Sequence, residues 1–279
     1  MSEPTWVVMV IAGAPEFTDA AISDVLAQSV PTRLLLIGQG LDHDYREHLE
    51  RIAEAHDERV FCWFFDPALP SLSAAWNRGL QFVWECGGVE ALVVNNDTRF
   101  HRDTVSVLTT VIQKTKALFV SAVGVTAEQF DPTVDHWDPV RELWKPTLDP
   151  PGGPDFSAFL MTKEGHTKYP FDEGFVPLYG EDCDMHRRYM LGGDGPRIFS
   201  VNMPYWHIGG GSGTLKSMAP EARARLERRI DGSRAYYARK WGPGGINGET
   251  FTIPFDAESA QPNVTNPDLQ RAAQGALGS

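Results

Sequence analysis

The stretch Ala91-Leu92-Val93-Val94-Asn95-Asn96-Asp97 decides the fold, because an unbroken apolar run passes directly into three polar residues. A short run without alternation suits a strand buried on both faces, the kind that builds parallel sheets. The polar residues then fall at its carboxyl end, where open α/β sheets bind their ligands. An Asx-turn leaving the strand would use the same Asn and Asp residues with no chemistry attached, so the stretch needs support from its surroundings.

Upstream, Trp6 to Ile11 is a second apolar run, stopped by Ala12-Gly13-Ala14-Pro15. Apolar positions Ala21, Ile22, Val25 and Leu26 have helical spacing, which predicts a helix over 18–29 with Thr18 as its cap. Strands are expected at 33–37 and 60–65, with helices at 43–56 and 72–86. Strands alternating with helices predict a parallel sheet with right-handed crossovers. Its ligand end collects the turns 12–15, 38–42 and 95–98. Downstream, residues 126–155 are proline-rich, carry Trp137 and Trp144, and show little periodicity, which reads as a lid or binding loop. A strand is expected at 156–162, a helix at 181–191, and helical sequence up to about Trp241. The expected fold class is α/β, with a Rossmann-like, mostly parallel central sheet flanked by helices and a mixed second half. One domain is expected over 1–255, divided into halves at about residue 115. Residues 256–279, rich in Ala, Gln, Asn and Pro, read as a tail.

Composition narrows the classes. Hydrophobic residues make up 42% of the 279, enough for a sizeable core. The net charge of −12 opposes a surface devoted to nucleic acid or anionic membrane. Cations concentrate locally, with Lys216, Arg223, Arg225, Arg228, Arg229, Arg234, Arg239 and Lys240 on the last helix. No run is long enough to span a membrane, and Met1-Ser2-Glu3-Pro4 does not open a signal peptide. Cys62, Cys86 and Cys183 lack metal-ligand spacing and read as buried thiols of a reducing compartment, so a cytoplasmic location is expected.

Several residue types suit phosphate and sugar chemistry. Asp97 at a strand end can hold a divalent cation, Mn²⁺ or Mg²⁺, and His207 before a glycine-rich turn with Ser212 can join it. Glu181-Asp182-Cys183-Asp184 opens a helix, where acidic residues complement the dipole by default; one aimed into a cleft would be a general base. Asn77-Arg78-Gly79 interrupts a helix and offers an amide and a guanidinium to a nucleotide or its phosphates.

In this order the segments resemble the family-2-like inverting glycosyltransferases of the GT-A fold, over roughly residues 6 to 242. The resemblance is carried by the first βα unit ending Leu26-Ala27-Gln28-Ser29-Val30-Pro31 and by Ala75-Trp76-Asn77-Arg78-Gly79-Leu80. Asn95-Asn96-Asp97, then Phe171-Asp172-Glu173 with Gly180-Glu181-Asp182-Cys183-Asp184, and finally His207 and Lys240-Trp241-Gly242 complete it. It implies a nucleotide-sugar donor (UDP-sugar favoured), with Asp97 and His207 on the metal and Asp182 as base with Glu181 beside it at the acceptor. It also implies donor contacts from Ala12, Gly13, Asp42, Asn77, Arg78, Asn95, Asn96 and Ser212. The sequence departs from the family at Gly38-Gln39-Gly40-Leu41-Asp42, where an Asp-Asp-Gly-Ser-like turn is usual, so Asp42 or a backbone group must read the base. The implied acceptor is a glycan or small molecule. Anchor-free relatives of phage type also act on hydroxymethylated pyrimidines in DNA, which the basic helix would suit. A nucleotidyltransferase and a non-catalytic nucleotide-sugar-binding protein are the rival classes; the first lacks a cation in its first βα turn, the second needs no Asp182.

Overall fold

The computed structural model describes residues 3–131, 145–146, 156–208, 220–246 and 248–260. Strands β1 (Thr5–Ile11), β2 (Thr32–Gln39), β3 (Val60–Phe65) and β4 (Glu90–Asn95) run parallel in the order β3-β2-β1-β4. Helices α1 (Pro15–Leu26), α2 (His43–Ala55) and α3 (Leu72–Glu85) make their crossovers. Beyond β4 the sheet becomes mixed. β5 (Thr98–Phe100), β6 (Phe119–Val125), β7 (Lys145–Pro146), β8 (Ala158–Thr162) and β9 (Ile198–His207) extend it as β4-β8-β6-β9-β5, with β7 also on β9. β8 lies antiparallel to both β4 and β6, whereas β6 and β9 are parallel. Helices α4 (Thr104–Thr115), α5 (Lys163–Lys168), α6 (Glu181–Leu191) and α7 (Pro220–Trp241) complete the chain.

Both faces of the sheet are covered, as its unbroken apolar strands require. Val7, Met9 and Ile11 face the helices α1, α2 and α4, while Val8 and Val10 face α3 and α6. Helix α3 lies very close to the sheet. A Cβ on Gly79 would stand 2.5 Å from Val8 Cγ1 and 2.6 Å from Ile37 Cδ1, so the glycine is a packing requirement. Two compact units divide the chain, Met1–Ser233 and Arg234–Ser279, and the division falls within α7.

The expected strands and helices of the first half stand within a few residues of their positions. Helix α1 is the exception, beginning at Pro15 rather than Thr18 and ending at Leu26. Proline is pre-set for the first helical position. Ala14 before it takes a left-handed φ of 58°. Thr18 therefore sits inside the first turn, buried, with Oγ1 donating to the Ala14 carbonyl at 3.1 Å. The stretch 98–125, assigned no element from the sequence, holds β5, α4 and β6. Val105, Leu108, Val111 and Ile112 fall at helical spacing within α4, and all four are buried. The thiols also differ from expectation: Cys86 is exposed, and Cys62 and Cys183 are half-buried. Cys86 caps the carboxyl end of α3, where the chain leaves the core.

Candidate active site

The end of β4 is built as a junction. Asn96 is buried, and its Nδ2 donates to the Gly13 carbonyl and to Thr18 Oγ1, both at 2.8 Å. Thr18 Oγ1 also receives the Tyr45 hydroxyl at 2.7 Å, and burial pushes that phenol up to about 12, so it remains a donor. Asn96 thus ties the turn after β1 to the turn after β4. Gly13 itself has φ 146°, with open space where a Cβ would be, and Ala12 is exposed. An open backbone at the carboxyl end of a parallel strand suits close approach by a phosphate. Asn95 contributes its backbone, its N–H donating to the Ser157 carbonyl at 3.0 Å.

Asp97 and His207 come together through strand pairing. β5 runs antiparallel to β9 with Thr98 opposite His207, and the Ile208 N–H closes on the Asp97 carbonyl at 2.8 Å. His207 Nε2 then lies 2.9 Å from Asp97 Oδ1, and Ser157 Oγ lies 3.4 Å from His207 Nδ1. Asp97 is 5% exposed. Two neighbouring ligands of one octahedral cation, at bond lengths of about 2.1 Å, stand roughly 3 Å apart. The carboxylate and imidazole fit such an ion as adjacent ligands. Among the described residues no cluster of three or more ligating side chains occurs, so the pair would leave the remaining positions to diphosphate oxygens and water.

The acidic helix start has another character. Gly180 before α6 has φ 97° and Tyr179 has φ 75°, two left-handed residues in succession. For tyrosine this backbone is costly, and such strain is usually found where function over-determines the chain. Glu181 follows, 5% exposed, with Oε2 lacking a hydrogen-bond partner. Burial, and then the neighbouring charges of Asp182 and Asp184, push its carboxyl up to about 8, against the pull of the Glu181 and Tyr179 backbone N–H groups. Asp184 is fully buried and paired with Arg188 at 2.8 Å. Asp182 is half-buried, and its Oδ1 accepts the Cys183 N–H at 2.7 Å. Three carboxyls on one helical turn thus have three fates, and Asp182 is the least buried of them.

The other expected contacts have bonds and surroundings of their own. Asp42 caps α2, its Oδ1 accepting the Tyr45 N–H at 2.8 Å. Arg78 is exposed on α3, while Asn77 is engaged with His166, Phe171 and Glu173. Ser212, Trp137, Trp144 and Lys216 lie outside the described residues, as does most of the loop 126–155. Sequence reasoning did not single out Thr18 as a junction, nor Ser157 or His166. None carries a local signal, because each matters through a partner far away in the chain.

The parallel wing and the mixed second half have the arrangement of the GT-A glycosyltransferase fold. Solved structures bear this out. S. aureus TarS 1-349 in complex with UDP aligns with a TM-score of 0.54 and 9% identity over 85% of this chain and 72% of that one. The same protein with UDP-GlcNAc gives 0.55 and 11%, covering 82% and 65%. GalNAc-T7 with UDP, GalNAc and Mn²⁺ gives 0.57 and 13%, covering 85% and 50%. At these identities the likeness is one of fold. No family model matches the sequence, and no curated protein matches it.

Proposed function

We propose that this chain is a metal-dependent, inverting glycosyltransferase that moves a hexose from a nucleotide-diphosphate sugar, a UDP-sugar by preference, to an acceptor hydroxyl. The observation carrying the reading is the Asp97–His207 pair, 2.9 Å apart across 110 residues at the ligand end of the sheet. Support comes from structural neighbours solved with UDP, UDP-GlcNAc and Mn²⁺.

In this mechanism Asp97 and His207 would hold Mn²⁺ or Mg²⁺, which when bound offsets the charge of the departing diphosphate. The Gly13 backbone, fixed by Asn96, lets the donor lie against the sheet. Asp182 accepts the proton of the attacking hydroxyl, and the bond from the Cys183 N–H to its Oδ1 helps to hold the carboxylate in place. Glu181 beside it stays protonated through neutral pH and adds no second negative charge at the nucleophile. One displacement inverts the anomeric centre.

The acceptor is read as a glycan or small molecule. A second reading, a hydroxymethylated pyrimidine in DNA, is favoured by Arg223, Arg225, Arg228 and Arg229, exposed along α7. Among the described residues no helix is long and apolar enough to cross a membrane. The test is a panel of UDP-, GDP- and dTDP-sugars with Mn²⁺, read by mass spectrometry against mixed glycans and modified DNA. Release of a sugar 1-phosphate instead of a nucleoside diphosphate would identify nucleotidyl transfer; donor binding without turnover would identify a binding protein.

A further inference from the structure

Asn77, expected at the donor, turns its whole hydrogen-bonding capacity inward. Its Nδ2 donates to the Phe171 carbonyl at 2.8 Å and to Glu173 Oε1 at 3.0 Å. Its Oδ1 accepts the Phe171 N–H and His166 Nε2, both at 3.0 Å. An amide has two donor hydrogens and two acceptor lone pairs, and all four are used. Because Phe171 presents both its N–H and its carbonyl, the amide can face only one way. The same logic fixes His166. Asn77 Oδ1 can only accept, so Nε2 carries the proton; the Trp84 indole can only donate, so Nδ1, 3.0 Å away, is bare. Burial agrees with this neutral tautomer, holding the imidazole down to about 4.

The braced segment leads to Asp182. After Asn77 grips Phe171 and Glu173, the Ser71 hydroxyl donates to the Glu173 carbonyl at 3.4 Å, and the Leu72 N–H to the Pro177 carbonyl at 2.9 Å. The left-handed Tyr179-Gly180 turn and α6 follow at once.

We propose that Asn77 and His166 are positioning residues, which fasten residues 171–177 along α3 and so set where α6 begins and where Asp182 stands. The proposal rests on the reading of Asp182 as base. The test compares Asn77→Ala, His166→Leu and His166→Gln with wild type by UDP calorimetry, turnover at saturating UDP-sugar and amide hydrogen exchange. UDP affinity is expected to stay within about twofold, while turnover falls on the order of 10- to 100-fold, as misplacement of a catalytic group does. Exchange over 171–177 should quicken, and His166→Gln, which keeps an N–H for Asn77, should recover part of what His166→Leu loses. The ¹⁵N signals of His166 should show a bare Nδ1 and a protonated Nε2, unmoved by UDP. Loss of UDP affinity with normal turnover of the bound complex would overturn the proposal in favour of direct donor contact; faster exchange with normal turnover would reduce the network to stability alone. If Asn77→Ala does not fold, Glu173→Ala, which removes one bond at an exposed residue, must lower turnover in the same sense or the proposal fails. A wild type that consumes no UDP-sugar sinks the functional reading first and takes the inference with it.

Discussion

Two acidic centres in this chain are held in place by opposite means. Asp97 stands at a strand end, and the β5–β9 ladder brings His207 to it through backbone pairing. Asp182 stands at the start of a helix reached through an irregular segment that side chains fasten to α3. Backbone ladders tolerate side-chain change, whereas a side-chain brace fails with the loss of one amide. The Asp97–His207 pair should therefore respond to replacement of its own residues, and Asp182 also to changes at a distance.

The sharpest break in that contrast would come from Asp182→Asn. Turnover should fall by about 10²–10⁴-fold, the usual worth of a positioned base, with UDP-sugar affinity retained in calorimetry. Near-normal turnover would remove Asp182 from the chemistry. Next in size, Asp97→Ala should abolish the part of UDP affinity that EDTA removes from wild type, roughly 10- to 100-fold for a charged contact worth about 1.5–3 kcal/mol. Equal affinity with and without EDTA in both proteins would instead leave the pair as an ordinary buried hydrogen bond.

Glu181 gives a pH test of the helix-borne centre. Its carboxyl rises from 4.5 to about 8 on folding, so across that window the folded chain keeps a proton that the unfolded chain releases. Stability from this group is full below about 4.5 and is lost as pH climbs toward 8. Urea midpoints of wild type should decline over that range relative to Glu181→Gln, and parallel curves would refute a buried, protonated acid. The smallest effect is expected from Ser157→Ala. At 3.4 Å its contact with His207 is long, so Mn²⁺ affinity should change by roughly tenfold or less. A larger change would mean that the metal pair, too, depends on side-chain bracing.

The same division governs what could be read in the sequence. The parallel wing was legible because Trp6 to Ile11 and Ala91 to Val94 carry their environment in their composition: strands buried on both faces are apolar throughout. Asp97 and His207 are expected together from their types and places, and the β5–β9 ladder brings them into contact. Helix α1 was misplaced because Thr18 looks like a cap, while the signal that mattered was Pro15. Asn77 is expected near the donor from its place in the Asn77-Arg78-Gly79 segment, and its hydrogen bonds in the structure lie elsewhere. Its partners, Phe171 and Glu173, lie more than ninety residues away, and no local pattern announces them. Asp42 was likewise read toward the nucleobase, and it caps α2.

The place of β8, between β4 and β6, bears on the order in which the chain can be completed during synthesis. Val94 pairs with Ala158 and Leu92 with Leu160, so the inner edge of β4 has no neighbour until those later residues exist. At 5–20 residues per second the ribosome needs roughly 3–12 s to add the intervening stretch of about 60 residues. For that interval the nascent chain carries an apolar strand with unsatisfied N–H and carbonyl groups, the kind of edge that recruits other strands. His207 emerges later still, 110 residues after Asp97. Strands β1 to β4 are therefore finished first, β8 acts as the closing stave, and Asp97 and His207 meet only on a sheet whose vulnerable edge has already been sealed.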